Sequence, residues 1–280
     1  AAKEAGTSAL VAGGAFPGFS NLLALEAAKL LGSDDKPRDV KFNYFTAGLG
    51  GSGAVNLYIT NVGFGEPVAT LEDGKCQEKL CAGLETETVP FFLDESDPTC
   101  DLIGSVNTWA WPFPEGKTVA ESLAISGSSR VAMGTAPEIW NVIMGAMVKV
   151  VPRGWWRSDA FSQGLAAFSR PMVAVTDRFV GETHAIRVDV EGESGRRAAA
   201  LQGHESFRRC VGQSCAEFAL HLLDARDQGN ARPGVFLPEQ RFDHDSERAA
   251  LVDRMSKTKG TLVCRIETEP GKDAGFQVKQ

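Results

Sequence analysis

Apolar positions near the start of the chain follow the order expected of an α/β fold. A short apolar run at 7–14 predicts a strand, and apolar residues three and four apart then predict a helix that Ser20 caps. Turn residues at 32–37 close this helix, and alternation over 40–45 predicts a second strand. Strand, helix and strand in this order favour the α/β class.

Capping boxes mark two helices further along the chain. Thr135 and Glu138, with Pro137 in the first turn, predict a helix with one apolar face. Ser214 and Glu217 predict the start of another helix. Other patterned segments predict strands at 68–71, 106–111, 128–133 and 261–266, and helices at 54–64, 158–175 and 245–255.

Two of these segments carry more specific expectations. Alternation over 183–190 and a returning run at 197–207 predict a hairpin with one buried face, which places His184 on the solvent side. Pro171 lies inside the predicted helix at 158–175, and we expect it to kink or end that helix. Residues 72–105 are the least regular and a notably acidic part of the chain.

A glycine-rich loop follows the strand at 40–45. Gly48, Gly50 and Gly53 have the spacing G-x-G-x-x-G, in which glycine permits a tight turn and close approach of a pyrophosphate. Glu72 and Asp73 lie 19 and 20 residues after Gly53, where such a site needs an acid for the ribose hydroxyl. The following segment is rich in β-branched residues and the next strand is short, so spacing alone leaves NAD binding open.

Composition excludes several functional classes. The chain has 280 residues, of which 43% are hydrophobic and 23% charged, as in an ordinary globular protein. Its formal net charge of -7 gives no indication of the basic stripe that nucleic-acid binding requires. No apolar run reaches the roughly 18 residues of a membrane span, so none is predicted.

The cysteines do not predict a metal site. Cys76/Cys81 and Cys210/Cys215 share the spacing C-x4-C, whereas zinc sites usually use C-x2-C, and no H-x-x-H spacing occurs. Cys210 and Cys215 are expected to be buried thiols. Cys76, Cys81 and Cys100 lie in the irregular segment, where free thiols and a disulfide both remain open.

Five motifs, taken together in their order, resemble the saccharopine dehydrogenase-like family of oxidoreductases, and most closely its plant and algal type. The resemblance runs from about residue 5 to about residue 240, and it is the joint order that is specific. The motifs are GG-x-x-PG-x-SN at 13–21, TAG-x-GG-x-G at 46–53, GTAP-x-x-WN at 134–141, the hairpin from 181 to 189 followed by His204, and PGVF-x-PE at 233–239.

This resemblance implies a two-domain NAD(P)-binding oxidoreductase whose nucleotide fingerprint lies in an N-terminal Rossmann half, ahead of this chain. The first residues lack an initiator Met, and we expect the chain to begin inside a longer fold. By analogy, 1–37 ends a Rossmann-like domain, 38–207 forms a substrate- or dimerisation-type α/β domain with a mixed sheet, 208–267 returns towards the Rossmann-like domain and 268–280 is a polar tail. No cofactor is therefore expected to bind this chain alone.

Under the same resemblance, the glycine loop becomes a strand-to-helix turn that shapes one wall of an interdomain cleft. The expected substrate-cleft residues are Gly48, Gly50, Gly51, Gly53 and Thr135.

Catalytic residues are less well defined by the sequence. His204 is a candidate general base, or a histidine held by local hydrogen bonds. Arg130 is a candidate for binding a substrate carboxylate, or a member of a structural salt bridge. Trp155 and Trp156 form either an exposed docking patch or part of a packed core.

Two functional hypotheses follow. The first is a saccharopine dehydrogenase-like oxidoreductase, acting on an amino-acid-type substrate in its relatives and inactive as this chain alone without NAD(P). The second is a non-catalytic accessory or scaffold subunit with a protein partner, in a plastid or the cytoplasm; a homodimer is also open.

Overall fold

A mixed sheet organises the molecule, as the sequence predicted. The computed structural model describes residues 2–48 and 54–269, and the elements below are those of this part of the chain. The strands are β1 (Ser8–Leu10), β2 (Pro37–Ala47), β3 (Val68–Glu72), β4 (Lys75–Lys79), β5 (Thr86–Pro90), β6 (Ser105–Ala110), β7 (Ser129–Ala136), β8 (Thr183–Gly192), β9 (Arg197–His204), β10 (Gly234–Phe236) and β11 (Thr261–Glu269). The helices are α1 (Phe19–Lys29), α2 (Ala54–Gly63), α3 (Pro98–Leu102), α4 (Glu115–Ser122), α5 (Glu138–Val150), α6 (Arg153–Trp156), α7 (Asp159–Val180), α8 (Phe207–Asp227), α9 (Pro238–Arg241) and α10 (Asp245–Ser256).

Within the described ranges, seven strands form the main sheet in the order β11-β9-β8-β2-β7-β6-β5. β2 lies at its centre, parallel to β7 and antiparallel to β8. The remaining pairs of this sheet are antiparallel. The α/β fold class with a mixed sheet is therefore confirmed.

One face of this sheet carries the main core. α1 packs on β8 and β9, and α4 packs on β2 and β7. Phe42 and Tyr44 of β2, Val188 of β8 and Leu22 and Leu23 of α1 are buried together there. Farther along the same face, α5 packs on β7, and α2 packs on α7. The two groups of helices thus share one sheet face.

The opposite face carries a smaller apolar cluster and many charged side chains. Phe45, Phe91 and Val106 are buried together on this side. Arg187 of β8 donates hydrogen bonds to the carbonyl oxygens of Pro90 and Phe92, so the β5 edge curls over this face.

A separate parallel pair, β1 and β10, lies beside the main sheet. Its register aligns Ser8 with Gly234 and Leu10 with Phe236. Among residues 2–48 and 54–269 no further strand pairs with either one. β1 leads into a tight turn at 13–18, and α1 begins directly after it.

The capping boxes located helices but not their first residues. Ser206 caps α8, with the backbone N–H of Arg209 donating to its hydroxyl at 3.3 Å, so the prediction of a start at Ser214 was wrong. Thr135 belongs to β7, and α5 begins three residues later. α1 likewise begins one residue before Ser20. A capping box contains residues that also fit strand ends and helix interiors, and tertiary pairing decides between these places.

Pro171 does not end α7, because the helix runs without a break from Asp159 to Val180, and a kink at this residue stays a prediction. Proline removes the hydrogen bond to the carbonyl four residues earlier, here that of Ala167. Both residues are exposed, so water can satisfy that carbonyl. The position of proline on the solvent side explains why the helix continues.

The predicted hairpin exists as β8 and β9, but the expectation of one buried face was wrong. β8 lies between β2 and β9, and β9 is itself covered at its edge by β11. His184 is buried rather than solvent-facing, because it lies on the same face of β8 as Ile186 and Val188, where the rings of Phe16 and Phe207 pack against it. Alternation of polar and apolar residues indicates that the hairpin has two different faces, but it does not show that one of them is exposed to solvent.

The irregular segment 72–105 contains more structure than its composition indicated. The hairpin of β3 and β4, strand β5 and helix α3 lie wholly or partly in it. All six cysteines are free thiols; Cys210 is buried as expected, whereas Cys215 is exposed. Five residues on a helix correspond to a rotation of about 140° beyond one full turn, which points these two side chains away from each other.

Candidate substrate cavity

A cavity of about 370 Å³ lies between the sheet and helices α2, α5 and α7. Strands β6 and β7 form its floor, the three helices form its walls, and Phe16, Phe113 and Phe207 close its inner end. Its volume lies within the roughly 300–1,000 Å³ range of small-molecule sites. It is larger and more apolar than the groove of about 210 Å³ on the opposite sheet face.

The walls of this cavity are mainly aromatic and sulfur-containing. Trp109 and Trp111 come from the end of β6, and Met133 comes from β7. The other large apolar lining residues are Leu57, Ile59, Phe64, Trp140, Ile143, Met144, Met147, Trp156, Leu165 and Val173. Such a lining favours apolar ligands because it can exclude water over most of their surface.

Close packing fixes the tryptophans at one end of the cavity. The ring centroid of Phe64 lies 4.9 Å from that of Trp111 and 5.1 Å from that of Trp156. Gly63 makes this possible, because a Cβ there would lie 2.6 Å from the Trp111 ring. The end of α2 therefore approaches β6 as closely as its backbone allows.

A few uncharged polar groups lie along the walls. The Thr135 hydroxyl donates to the carbonyl oxygen of Thr46 at 2.7 Å, and the Ser169 hydroxyl donates to that of Leu165 at 2.8 Å. The Asn61 amide donates to the carbonyl oxygen of Ser162 at 3.0 Å. These groups are held in place by the backbone of the cavity's own walls.

Charge is nearly absent from this lining. Among the lining residues that the structure describes there is no lysine, arginine or histidine, and Asp177 is the one ionisable side chain. The cavity therefore has no positive group to balance a bound carboxylate.

Behind the inner end, Phe16 separates the cavity from buried polar groups. Its ring stacks on Tyr44 with centroids 4.3 Å apart, and its centroid lies 5.2 Å from that of His184. Phe113 packs edge-on against both Phe16 and Tyr44. The aromatic wall thus has the cavity on one side and polar side chains on the other.

Those polar side chains form a buried network, defined here as Ser20, Asn21, Tyr44, Glu115 and Glu239. The Tyr44 and Ser20 hydroxyls donate to one carboxyl oxygen of Glu115 at 2.8 and 3.2 Å. The Asn21 amide donates to Glu239 at 2.7 Å, and its oxygen accepts from the Gly18 backbone N–H at 2.9 Å. The second carboxyl oxygen of each glutamate has no partner among the described residues.

Burial changes the protonation of this region. It raises the pKa of Glu115 to about 7, because the charged form loses its hydration. Burial also lowers the pKa of His184 to about 3. One ring nitrogen of His184, Nδ1, lies 2.9 Å from the Phe45 carbonyl oxygen and is therefore the donor, while the lowered pKa keeps the imidazole neutral.

His204, the candidate general base, is not among the residues that line the cavity. It is buried, and the Ser206 backbone N–H donates to its Nδ1 at 3.0 Å. Its Nε2 lies 3.0 Å from the Gln213 side-chain oxygen, and burial lowers its pKa. Local hydrogen bonds thus occupy both ring nitrogens.

Arg130, the candidate for binding a carboxylate, lies on the other face of the sheet. Its neighbour Val131 packs into the main core, and side chains alternate along a strand. Arg130 forms an ion pair with Glu87 at 3.0 Å. A second groove of about 210 Å³ on that face is lined by charged residues that pair with one another, including Lys41 with Glu87 and Arg187 with Asp189.

The cleft residues expected from the sequence divide into two sets. Gly48 and Thr135 line the cavity, whereas Gly50, Gly51 and Gly53 lie outside the described residues. Gly48 has φ of +70°, and a Cβ there would lie 2.3 Å from the Gly181 carbonyl oxygen. Only glycine fits both its conformation and this close approach.

The remaining sequence candidates lie elsewhere. Glu72 pairs with Lys79 across the β3–β4 hairpin, and Asp73 lies in its turn with φ of +48°. The tryptophan pair is split: Trp155 is 59% exposed, whereas Trp156 is 1% exposed and lines the cavity. Trp156 is therefore part of a packed core, whereas Trp155 is exposed and its role in docking stays a prediction.

Sequence reasoning missed the aromatic floor and the buried network. The alternating Trp109 and Trp111 in a strand was a usable signal for two large rings on one face. Asn21 and Glu239 were part of the matched motifs, but nothing in the spacing indicated that they meet. Nothing in the sequence near Glu115 marks it as buried.

Within 2–48 and 54–269 no group of three or more histidine, cysteine, aspartate or glutamate side chains is placed to hold a metal ion. None of the helices in those ranges is both long and apolar enough to cross a membrane.

The mixed sheet, its covering helices and the apolar cavity together define an α/β fold. The chain is similar in structure to apo histidine-tagged saccharopine dehydrogenase (L-Glu forming) from Saccharomyces cerevisiae, with a TM-score of 0.52 over 95% of this chain and 75% of that chain. The two are 12% identical, so the likeness is one of fold. No protein-family model and no curated protein matches the sequence.

Proposed function

We propose that this chain is the substrate-side domain, with flanking segments of the nucleotide-side domain, of a saccharopine dehydrogenase-like oxidoreductase of the plant and algal type. In this proposal the cavity holds the substrate, and NAD(P) is bound by a Rossmann half outside the present sequence. The fold similarity supports the class, and the motif order supports the type. The proposed division is 1–37 and 208–267 on the nucleotide side and 38–207 on the substrate side.

The observation that carries this proposal is the parallel pair β1–β10. Parallel strands are normally found in larger sheets covered on both faces. A nucleotide-binding sheet could extend from this pair, because neither strand has another partner among the described residues.

The direction of the pair supports a cofactor position near the cavity. In α/β sheets, ligands bind outside the carboxyl ends of the strands. The carboxyl end of β1 leads into the turn that holds Phe16, and Phe16 closes the inner end of the cavity. A nicotinamide at that edge would therefore meet the inner end of a bound substrate.

Two measurements test this division. NADH and NADPH are titrated into the chain, and tryptophan fluorescence is followed. We expect no micromolar binding, and micromolar binding would place the cofactor site within these residues. The intact mass of the protein from its native source is expected to exceed the 29.9 kDa of this chain. A mass equal to it would contradict the proposal.

A second candidate function is that of an accessory or scaffold subunit. It is favoured by the outer surfaces of α5 and α7, where Val142, Val150, Phe168, Val175 and Phe179 are exposed. Contiguous apolar side chains on a surface mark contacts with another molecule. This candidate predicts a stable complex with a partner protein on size-exclusion chromatography, whereas a lone monomer at physiological salt would count against it.

A further inference from the structure

We propose that the cavity binds a neutral, largely apolar alcohol rather than an amino acid. This inference rests on the proposed function for the reaction class only; the binding preference itself is derived from the lining and is tested without any nucleotide.

The first argument is electrostatic. An amino acid brings a carboxylate, and moving an unpaired charge out of water costs far more than moving an uncharged polar group. No cationic side chain lines the described part of the cavity. The segment 49–53, which follows Gly48, is Leu-Gly-Gly-Ser-Gly and adds no charged residue.

Two arginines near the tryptophan end of the cavity donate hydrogen bonds to backbone carbonyls. Arg153 donates to the carbonyl oxygens of Phe64 and Ala82, and Arg157 donates to that of Gly65. These bonds hold both guanidinium groups behind the tryptophan end of the cavity, and neither residue is part of its lining. A carboxylate bound inside would consequently lack a partner.

The second argument concerns hydrogen bonding. The hydroxyl protons of Thr135 and Ser169 are both donated to backbone carbonyls. Their oxygens keep lone pairs, so these groups can accept a hydrogen bond from a ligand. A ligand hydroxyl is a donor of this kind, and it brings no charge.

The third argument is the entrance. Ile59 and Ile143 line the cavity and are also 54% and 37% exposed to solvent. The mouth of the cavity is therefore bordered by apolar side chains. An aliphatic or aromatic body that extends from the cavity would remain in contact with apolar surface.

The molecule provides its own reporter for binding. Four of the five tryptophans in the sequence, Trp109, Trp111, Trp140 and Trp156, line the cavity. Tryptophan fluorescence is followed while 1-decanol, decanoate or L-saccharopine is added without nucleotide. We expect saturable binding of 1-decanol, binding of decanoate at least tenfold weaker, and no saturable change with L-saccharopine.

Two matched variants test the location. Met144→Arg places a cation in the cavity. It is expected to weaken the binding of 1-decanol at least tenfold and to reduce the difference between the affinities for 1-decanol and decanoate. Met172→Arg makes the same change at an exposed methionine outside the lining, and it is expected to leave both affinities unchanged. If Met144→Arg loses its folded circular dichroism spectrum, Met144→Trp, which fills the cavity without charge, takes its place.

Several results would overturn the inference. One is tighter binding of L-saccharopine or decanoate than of 1-decanol by the unmodified chain. Another is an equal loss of 1-decanol binding in both arginine variants, which would indicate adsorption to the outer surface. Failure of NADPH to bind has no bearing on this test, so the proposed function and the ligand preference fail separately.

Discussion

The two ends of one sheet face differ in their buried polar side chains and in their unfilled volume. Under α1 and α4, polar side chains are buried and bonded to one another in the network of Ser20, Asn21, Tyr44, Glu115 and Glu239. Under α2, α5 and α7, the lining is apolar and about 370 Å³ is left unfilled. The difference teaches that a buried ionisable cluster and an unfilled cavity are separate features of one sheet face, and the ligand proposed above depends on the cavity.

The largest expected effect is on the buried network. Asn21→Leu removes the donor to Glu239 and leaves that carboxyl group buried without its partner. We expect a loss of about 3 kcal/mol or more in the free energy of unfolding, measured with urea. Asn230→Leu, at an exposed asparagine, is the matched control and is expected to change it by less than about 0.5 kcal/mol. Equal losses would show that the network contributes nothing particular.

A second prediction concerns pH. Glu115 has a folded pKa of about 7 against an ordinary 4.5, so its contribution to stability is lost as pH rises from 4.5 to 7, by about 3 kcal/mol in total. His184 has a folded pKa of about 3 against 6.5, so its contribution is lost as pH falls below 6.5. Between pH 4.5 and 6.5 the two slopes oppose each other.

Substituting Glu115 and His184 one at a time separates their two contributions to the pH dependence of stability. Glu115→Gln removes the contribution of Glu115 and leaves that of His184, so the free energy of unfolding should rise with pH over 4.5–6.5. His184→Gln removes the contribution of His184 and leaves that of Glu115, so the free energy of unfolding should fall as pH rises over the same interval. The free energy of unfolding is measured in urea at several pH values. Parallel pH profiles for the two variants would refute the opposed-slope account.

A smaller effect is expected inside the cavity. Thr135→Val keeps the shape of the side chain but removes the acceptor proposed for a ligand hydroxyl. We expect 1-decanol to bind several-fold more weakly, in line with about 1 kcal/mol for one hydrogen bond. Thr88→Val, on the edge strand β5, is the control and should leave binding unchanged. An unchanged affinity of the Thr135→Val variant for 1-decanol would show that Thr135 does not accept a hydrogen bond from the ligand.

The smallest effect on stability is expected at the outer surface of the cavity helices. Phe179 is 85% exposed, so Phe179→Ser should change the free energy of unfolding by no more than about 0.5 kcal/mol. If this surface binds a partner, the same substitution should shift the complex to a smaller species on size-exclusion chromatography. Arg178→Ser, at the exposed neighbouring residue, serves as the control.

Sequence patterns predicted the fold class and most elements because periodicity reflects local burial. They failed where long-range pairing decides. The strand β7 includes Thr135, which a local capping rule assigned to a helix, because residues 129–136 pair with β2. Likewise His184 is buried because the ring of Phe16, which is distant in sequence, packs against it.

The candidate site was predictable only in part. Gly48 and Thr135 were expected at a cleft and do line the cavity. The catalytic candidates His204 and Arg130 were inferred from residue type, which carries no information on which sheet face or neighbour a side chain meets. The apolar character of the cavity depends on side chains spread along the chain from Phe16 to Phe207, and no local motif contains them.

Phe16 belongs to both ends of this sheet face, since it lines the cavity and also stacks on Tyr44 and His184. For protein engineering this divides the pocket into independent and coupled positions. Its helical walls can be redesigned for larger or smaller compounds without disturbing the groups that hold protons. A substitution of Phe16 alters the cavity and the buried polar groups at once, so it would change ligand selectivity and stability in acid together.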